Sequence, residues 1–277
     1  MKRRNILIAV SILLLVVGAF FLGRWTAAPK KKEVLKKQVA RAARKQAPVP
    51  VSTVRAKRPA RVAIVMDDFG YNMNNAEALF AIGKPVTLSI LPNLKHSRDV
   101  AESARQHGYE VILHLPLESN RNGVKEEAGT LKPGASEKTV VEQLTKDIGS
   151  VPGLAGVSNH MGSKATEDRI LMSEIFSYLK KKNLYFFDSM TSEKSVCGEV
   201  AAEMGLRFAK RDIFLDNEEN VESIKKQMIE LKKLALRRGR AIAICHDRKN
   251  TVTVLADAMP DMAKDGVAFV NLSELVR

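Results

Sequence analysis

The chain has 277 residues, 45% of them hydrophobic, which is enough for one large folded domain or two small ones. Its formal charge of +14 is unevenly placed: residues 1–61 carry 16 Lys and Arg against one acid, Glu33, leaving 29 basic and 30 acidic residues in 62–277. A near-neutral folded region argues against a DNA- or RNA-binding domain built on a basic face, and two cysteines without CxxC spacing leave the redox compartment open.

The chain begins MKRR and continues with an uncharged run, Asn5 to Gly23, of the length that crosses a bilayer as one helix, about 20 residues. A signal-peptide core is shorter, about 7–15 residues, and Pro29 directly after Ala28 obstructs a cleavage site at TAA. Residues 1–23 therefore read as an uncleaved signal anchor, with a cleaved peptide as the alternative. Basic residues flank the run on both sides, so charge alone fixes no orientation. Residues 24–60, rich in Lys, Arg, Ala and Pro, read as a basic linker suited to anionic lipid headgroups or wall polymers.

From Val62 onward short apolar runs alternate with longer amphipathic ones. The strand candidates are 62–66, 86–91, 110–115, 154–158, 184–187, 206–209, 241–245 and 267–272; helix candidates include 97–107, 136–149, 167–182 and 219–238. Seven or eight βα units predict an α/β fold with a parallel sheet. Over residues 61–277 a closed or partly closed (β/α) barrel suits them better than an open doubly wound sheet.

Parallel strands collect active residues at their C-terminal ends. The first candidate ends in Asp67 and Asp68, two like charges side by side after five apolar residues. The third carries His114 and Glu118. The fourth carries Asn159, His160 and Ser163, the fifth Asp188 and Ser189, and 241–245 leads into His246 and Asp247. Three of the five histidines thus sit at strand ends. Asp68, His114 and His160 form a candidate His₂Asp site for Zn²⁺ or a similar ion, with a position left open for water. Asp67 is then the base that takes the water's proton, and His246 the acid that protonates a leaving nitrogen. Asp188 is expected to hold substrate hydroxyls or to orient His246. Ser189 joins the substrate side, and Asn159 with backbone N–H groups near Gly162 is an oxyanion candidate.

The segments "VAIVMDDFG", "HLPLE", "GVSNHMGS" and "FFDSMTS", with the strand ending in His246, resemble the divergent polysaccharide deacetylase family. That family is a distant branch of the metal-dependent carbohydrate deacetylases. The resemblance covers 61–277 and implies a distorted (β/α) barrel, removal of N-acetyl groups from glycans, a divalent metal (usually zinc), and a site of action outside the cytoplasm. With the anchor, it implies a single-pass inner-membrane protein with a periplasmic domain. It maps Asp67 to the base, Asp68 and the histidines to metal ligands, and His246 to the acid. Two departures stand beside it. The metal histidines come from two strands instead of one HxxxH motif, and "DRKNT" follows His246 where the family more often has a Pro-containing turn. Two other readings stay open: a catalytically idle glycan-binding or scaffold protein of the envelope, and a Mg²⁺-dependent phosphoryl-transfer site built on the paired aspartates.

Overall fold

The computed structural model describes residues 59–277 apart from Asn122 and Val124, so the expected anchor and nearly all of the expected linker lie outside the described residues. Among the described residues no helix is long and apolar enough to cross a membrane. The elements in chain order are β1 (Ala60–Phe69), α1 (Ala76–Ala81), β2 (Thr87–Ile90), α2 (Ser97–Gln106), β3 (Glu110–Leu117), α3 (Glu137–Ser150), β4 (Gly156–Met161) and α4 (Arg169–Lys181). They continue with β5 (Tyr185–Asp188), α5 (Cys197–Met204), β6 (Phe208–Lys210), β7 (Ile213–Phe214), α6 (Val221–Arg238), β8 (Arg240–His246), α7 (Lys249–Lys264) and β9 (Val267–Phe269). Side chains of Ser136, Asp168 and Asn220 accept from the backbone of Thr139, Leu171 and Ser223, which fixes where α3, α4 and α6 begin.

The strands pair in the order β6-β5-β4-β3-β2-β1-β8-β7, with β9 also beside β1. All pairings are parallel, as crossover helices require. The two ends of that order, β6 and β7, are neighbours in the chain. Between Lys210 and Ile213 lie only Arg211 and Asp212, a reach of about 10 Å. The sheet must therefore curl until its edges nearly meet. No ladder joins β6 to β7 among the described residues. Instead Arg211 N–H donates to the Asp188 carbonyl at 3.0 Å and Asp212 N–H to the Ile242 carbonyl at 2.9 Å. The result is an open, curled half-barrel of parallel strands, not a closed one.

Strand alternation divides the core in two. Val62, Ile64 and Met66 face outward into the layer between sheet and helices, where both buried, free cysteines, Cys197 and Cys245, also lie. Ala63 and Val65 face inward, with Ile112, Tyr185, Phe187, Ile242 and Ile244. Leu272 and Leu275, around the 3₁₀ turn Leu272–Glu274, complete this inner cluster at the end where the strands begin.

Candidate active site

At the C-terminal ends of the strands a cleft of about 480 Å³ opens. Positions in phase with Ala63 and Val65 reach it. Asp67 in β1, His114 in β3, Ser158 and His160 in β4, and His246 in β8 share the inward parity of the inner core. Asp67 and His246 are register partners across β1 and β8, and His114 and Ser158 across β3 and β4. Asp68 is out of phase and should face the helices. A bulge breaks the β1–β2 register between Met66 and Phe69, and Asp68 adopts φ 67°, which swings its carboxylate into the cleft beside that of Asp67. Such a backbone costs a non-glycine residue about 1–2 kcal/mol, least for Asp and Asn, and residues held this way concentrate at functional sites.

Asp68 Oδ1 lies 3.3 Å from His114 Nε2 and 3.1 Å from His160 Nδ1. One ligand atom from each of these residues lies within 4.8 Å of the others. The tautomers follow from the far side of each ring. His114 Nδ1 is 2.9 Å from the buried Ser158 hydroxyl, itself 2.7 Å from that of Ser89, which leaves Nε2 for the cleft. His246 Nδ1 faces Asp216 Oδ1 at 3.0 Å. Asp216 Oδ2 also accepts from the His246 N–H at 2.9 Å and the Thr251 hydroxyl at 2.8 Å. His246 Nε2 then points inward, 3.9 Å from Asp68 Oδ2. Asp67 Oδ1, 3.8 Å from His114 Nδ1, is buried without a hydrogen-bond partner. One carboxylate and two imidazoles form a donor set suited to Zn²⁺ and its neighbours, and a buried, unpartnered carboxylate oxygen asks for a proton. The residues fit a divalent metal.

The electrostatics separate the two aspartates. Burial pushes the Asp67 carboxyl up, only partly offset by His114. Burial acts on Asp68 too, but hydrogen bonds from His114 and His160 outweigh it and hold that carboxyl well below its usual range. Burial alone would lower His246. The Asp216 carboxylate outweighs it, so the imidazolium is favoured.

Several expected residues take other roles. Asp188 shares the outward parity of Phe186 and does not meet His246. Its carboxylate binds the Met190 N–H at 2.7 Å and the Ser195 hydroxyl at 2.6 Å, and Asp216 occupies the orienting place instead. Asn159 lines the cleft, but its amide is engaged: Oδ1 accepts from the Ser189 N–H at 2.9 Å and Nδ2 donates to the Met161 carbonyl at 2.7 Å. Ser189 returns its hydroxyl to the Asn159 carbonyl at 3.1 Å, so the pair ties β4 to β5. Neither Glu118 nor Asp247 lines the cleft: Glu118 pairs with Lys164 at 3.0 Å, and Asp247 accepts from Asn75 at 2.7 Å. Gly162, at φ 87°, packs where a Cβ would come within 2.9 Å of Leu117 Cβ. Its constraint is close packing.

Asp216 and Ser158 escape a reading that looks for polar residues at the ends of long apolar runs. Asp216 follows "IFL", a strand of only two residues, and Ser158 sits inside its strand. Arg211 also lines the cleft. It donates to the Ser189 carbonyl at 2.7 Å and the Met190 carbonyl at 3.0 Å, tying the link between β6 and β7 to the segment after β5.

The family model described as divergent polysaccharide deacetylase matches residues 64–276. The chain belongs to that family. Two curated relatives, both uncharacterized, are similar along most of this chain's length. One, from Haemophilus influenzae, is 34% identical over 217 residues, 78% of this chain and 77% of the relative. The other, YibQ of Escherichia coli, is 33% identical over 216 residues, 78% of this chain and 67% of the relative. Among solved structures, an uncharacterized protein from Agrobacterium tumefaciens C58 superposes with a TM-score of 0.75 at 24% identity, covering 80% of this chain and 91% of that one. A mutant of a CE4 family pseudoenzyme, described as having restored enzymatic activity, shares the fold at a TM-score of 0.50 and 13% identity, over 78% of this chain and 67% of that one.

Proposed function

We propose that this chain is a metal-dependent hydrolase that removes N-acetyl groups from a polysaccharide of the cell envelope, acting outside the cytoplasm from a membrane anchor formed by residues 1–23. The observation that carries the reading is the meeting of Asp68, His114 and His160 within 4.8 Å, with Asp67 and His246 on adjoining strands beside them. Family membership and the uncharged run 5–23 support the substrate class and the location.

Asp68, His114 and His160 would hold a divalent cation, most readily Zn²⁺; bound there, it supplies Lewis-acid chemistry that acidifies water and polarises an acetamide carbonyl. Asp67 takes the proton of the attacking water, a task suited to a buried carboxylate whose pKa is raised and whose Oδ1 is free. As the C–N bond breaks, the leaving nitrogen needs a proton, because an amine anion is too poor a leaving group. His246 presents Nε2 for it, kept protonated by Asp216 behind the ring. Acetate and a free amino sugar result. Phe214, Ile244, Met161 and Met190 give the cleft an apolar wall.

Acetate release from N-acetylated oligosaccharides and from peptidoglycan, with metal content measured on the same samples, tests this. Asp67→Asn is expected to keep its metal and lose about 10²–10⁴-fold in turnover. His114→Ala and His160→Ala are expected to lose the metal. Wild type that binds glycan and metal but releases no acetate would establish the idle binding reading. Histidine variants that keep the metal, beside a wild type that releases phosphate from phosphomonoesters and no acetate, would shift the function to phosphoryl transfer by the aspartates.

A further inference from the structure

The end of the half-barrel opposite the catalytic cleft carries a second concave site. It is lined by Arg61, Arg238, Gly239, Arg240, Glu274, Leu275 and Arg277. Arg61 and Arg240 stand near the start of β1 and at the start of β8, while Asp67 and His246 lie six residues on, near the end of β1 and at the end of β8. The two sites are therefore about 20 Å apart.

Three of the four guanidinium groups have no carboxylate partner among the described residues. Arg61 Nη2 donates to the Glu274 carbonyl, and Arg240 Nη1 to the Leu275 carbonyl at 2.9 Å. Arg61 Nε is buried with no partner at all. Only Arg238 has an ion pair, with Asp212 at 3.3 Å on the exposed surface. Glu274 contributes the one side-chain carboxylate of the lining, and it is turned to the Asn271 N–H. The Arg277 backbone is fixed by reciprocal bonds with Phe208, at 3.1 and 2.8 Å, so its side chain departs from a held point. Helix-dipole stabilisation explains a cation in the last turn of α6, and so explains Arg238 alone. Arg61, Arg240 and Arg277 lie on no α-helix.

We propose that Arg61, Arg238, Arg240 and Arg277 form a second binding site for a phosphate group. The Arg61 and Arg240 guanidinium groups, each anchored to one carbonyl with N–H groups left over, match the oxygens of a phosphomonoester or phosphodiester, which accept bidentate bonds. The exposed Arg238 and Arg277 add charge at the rim. The same chemistry is offered by free phosphate and by a phospholipid headgroup. The chain enters the fold at Ala60, beside Arg61, so the site stands at the end of the barrel where the described residues begin.

The test uses the full-length chain in neutral detergent, titrated calorimetrically with inorganic phosphate and pyrophosphate. The basic segment contributes equally to wild type and variants, so the comparison isolates the site. Arg238→Gln combined with Arg277→Gln, both at exposed positions, is expected to weaken binding about tenfold. Arg240→Lys, which keeps the charge and loses the fork, is expected to weaken it as well, while turnover at the cleft stays unchanged in both variants. Reconstitution in nanodiscs distinguishes the sources. Slower deuterium exchange over residues 272–277 in phosphatidylglycerol than in phosphatidylcholine, lost in the double variant, assigns a lipid headgroup. Phosphate binding without that protection assigns a soluble phosphate. Equal phosphate binding by wild type and variants, or none by wild type with no lipid-dependent protection, overturns the proposal and leaves the hydrolase reading untouched.

Discussion

Asp67 and Asp68 are sequence neighbours with opposite fates. Burial raises one carboxyl, and two histidines lower the other. What separates them is a left-handed residue in a bulge, and the string "MDDF" does not encode that openly. Parity does the rest. Asp67, His114, His160 and His246 are in phase with the inward apolar residues of their strands, whereas Asn159 and Asp188 are one residue out of phase. Counting polar residues at strand ends was enough to find the first four. Applying the period of two would also have placed Asn159 and Asp188 on the outward parity, from which Asn159 still lines the cleft. Asp216 is the residue that most needs testing. Replacing it with Asn keeps the shape but removes the charge that orients and protonates His246. Asp216→Asn should therefore lower kcat about 10–100-fold with metal content unchanged, as measured by acetate release beside metal analysis.

Among the elements, those with caps and clear periodicity were legible, and the short ones were not. The candidates at 136–149 and 219–238 match α3 and α6 closely, whereas β7, two residues long, offers no period to detect. Helix α3 also carries a load that composition hides. Asp147 is fully buried on it. Oδ1 accepts from Asn93 at 2.6 Å and Gln143 at 2.7 Å, and Oδ2 has no partner. Burial pushes its carboxyl up to about 6, against an ordinary value of 3.8. The folded state therefore holds this proton more tightly than the unfolded state. The charged form weakens the fold above pH 6, and the penalty fades as pH falls from 6 toward 3.8. Asp147→Asn should raise stability at pH 8 by about 1–2 kcal/mol, with the gain about halved at pH 5 and mostly gone near pH 3.8, as read from denaturant melts at the three pH values.

For the whole molecule, the alternation of strands and helices announced a parallel α/β barrel, but not its seam. That depends on β6 and β7 meeting without a ladder, a consequence of the two-residue link between them. Net charge misled in a similar way. Residues 62–277 sum to nearly zero, and the average conceals arginines gathered at one end of the barrel. That end is also where the inner core depends on its last segment, through Leu272 and Leu275. Leu272→Ala, at a fully buried position, should cost about 2–5 kcal/mol, measured as a lowered midpoint in urea.

The placement of the two thiols in the outer layer gives the molecule a built-in reporter. Burial raises the pKa of both Cys197 and Cys245, so the nucleophilic thiolate is scarce as well as shielded. Cys245 lies in β8 beside β1, with its side chain in the layer between sheet and helices, and reaches solvent only when that layer opens. Alkylation of Cys245 by iodoacetamide should then proceed at the rate of global opening, so that mass spectrometry of the labelled chain acts as a clock for unfolding. A label acquired within seconds under native conditions would show that the helix layer lifts from β8 while the sheet holds.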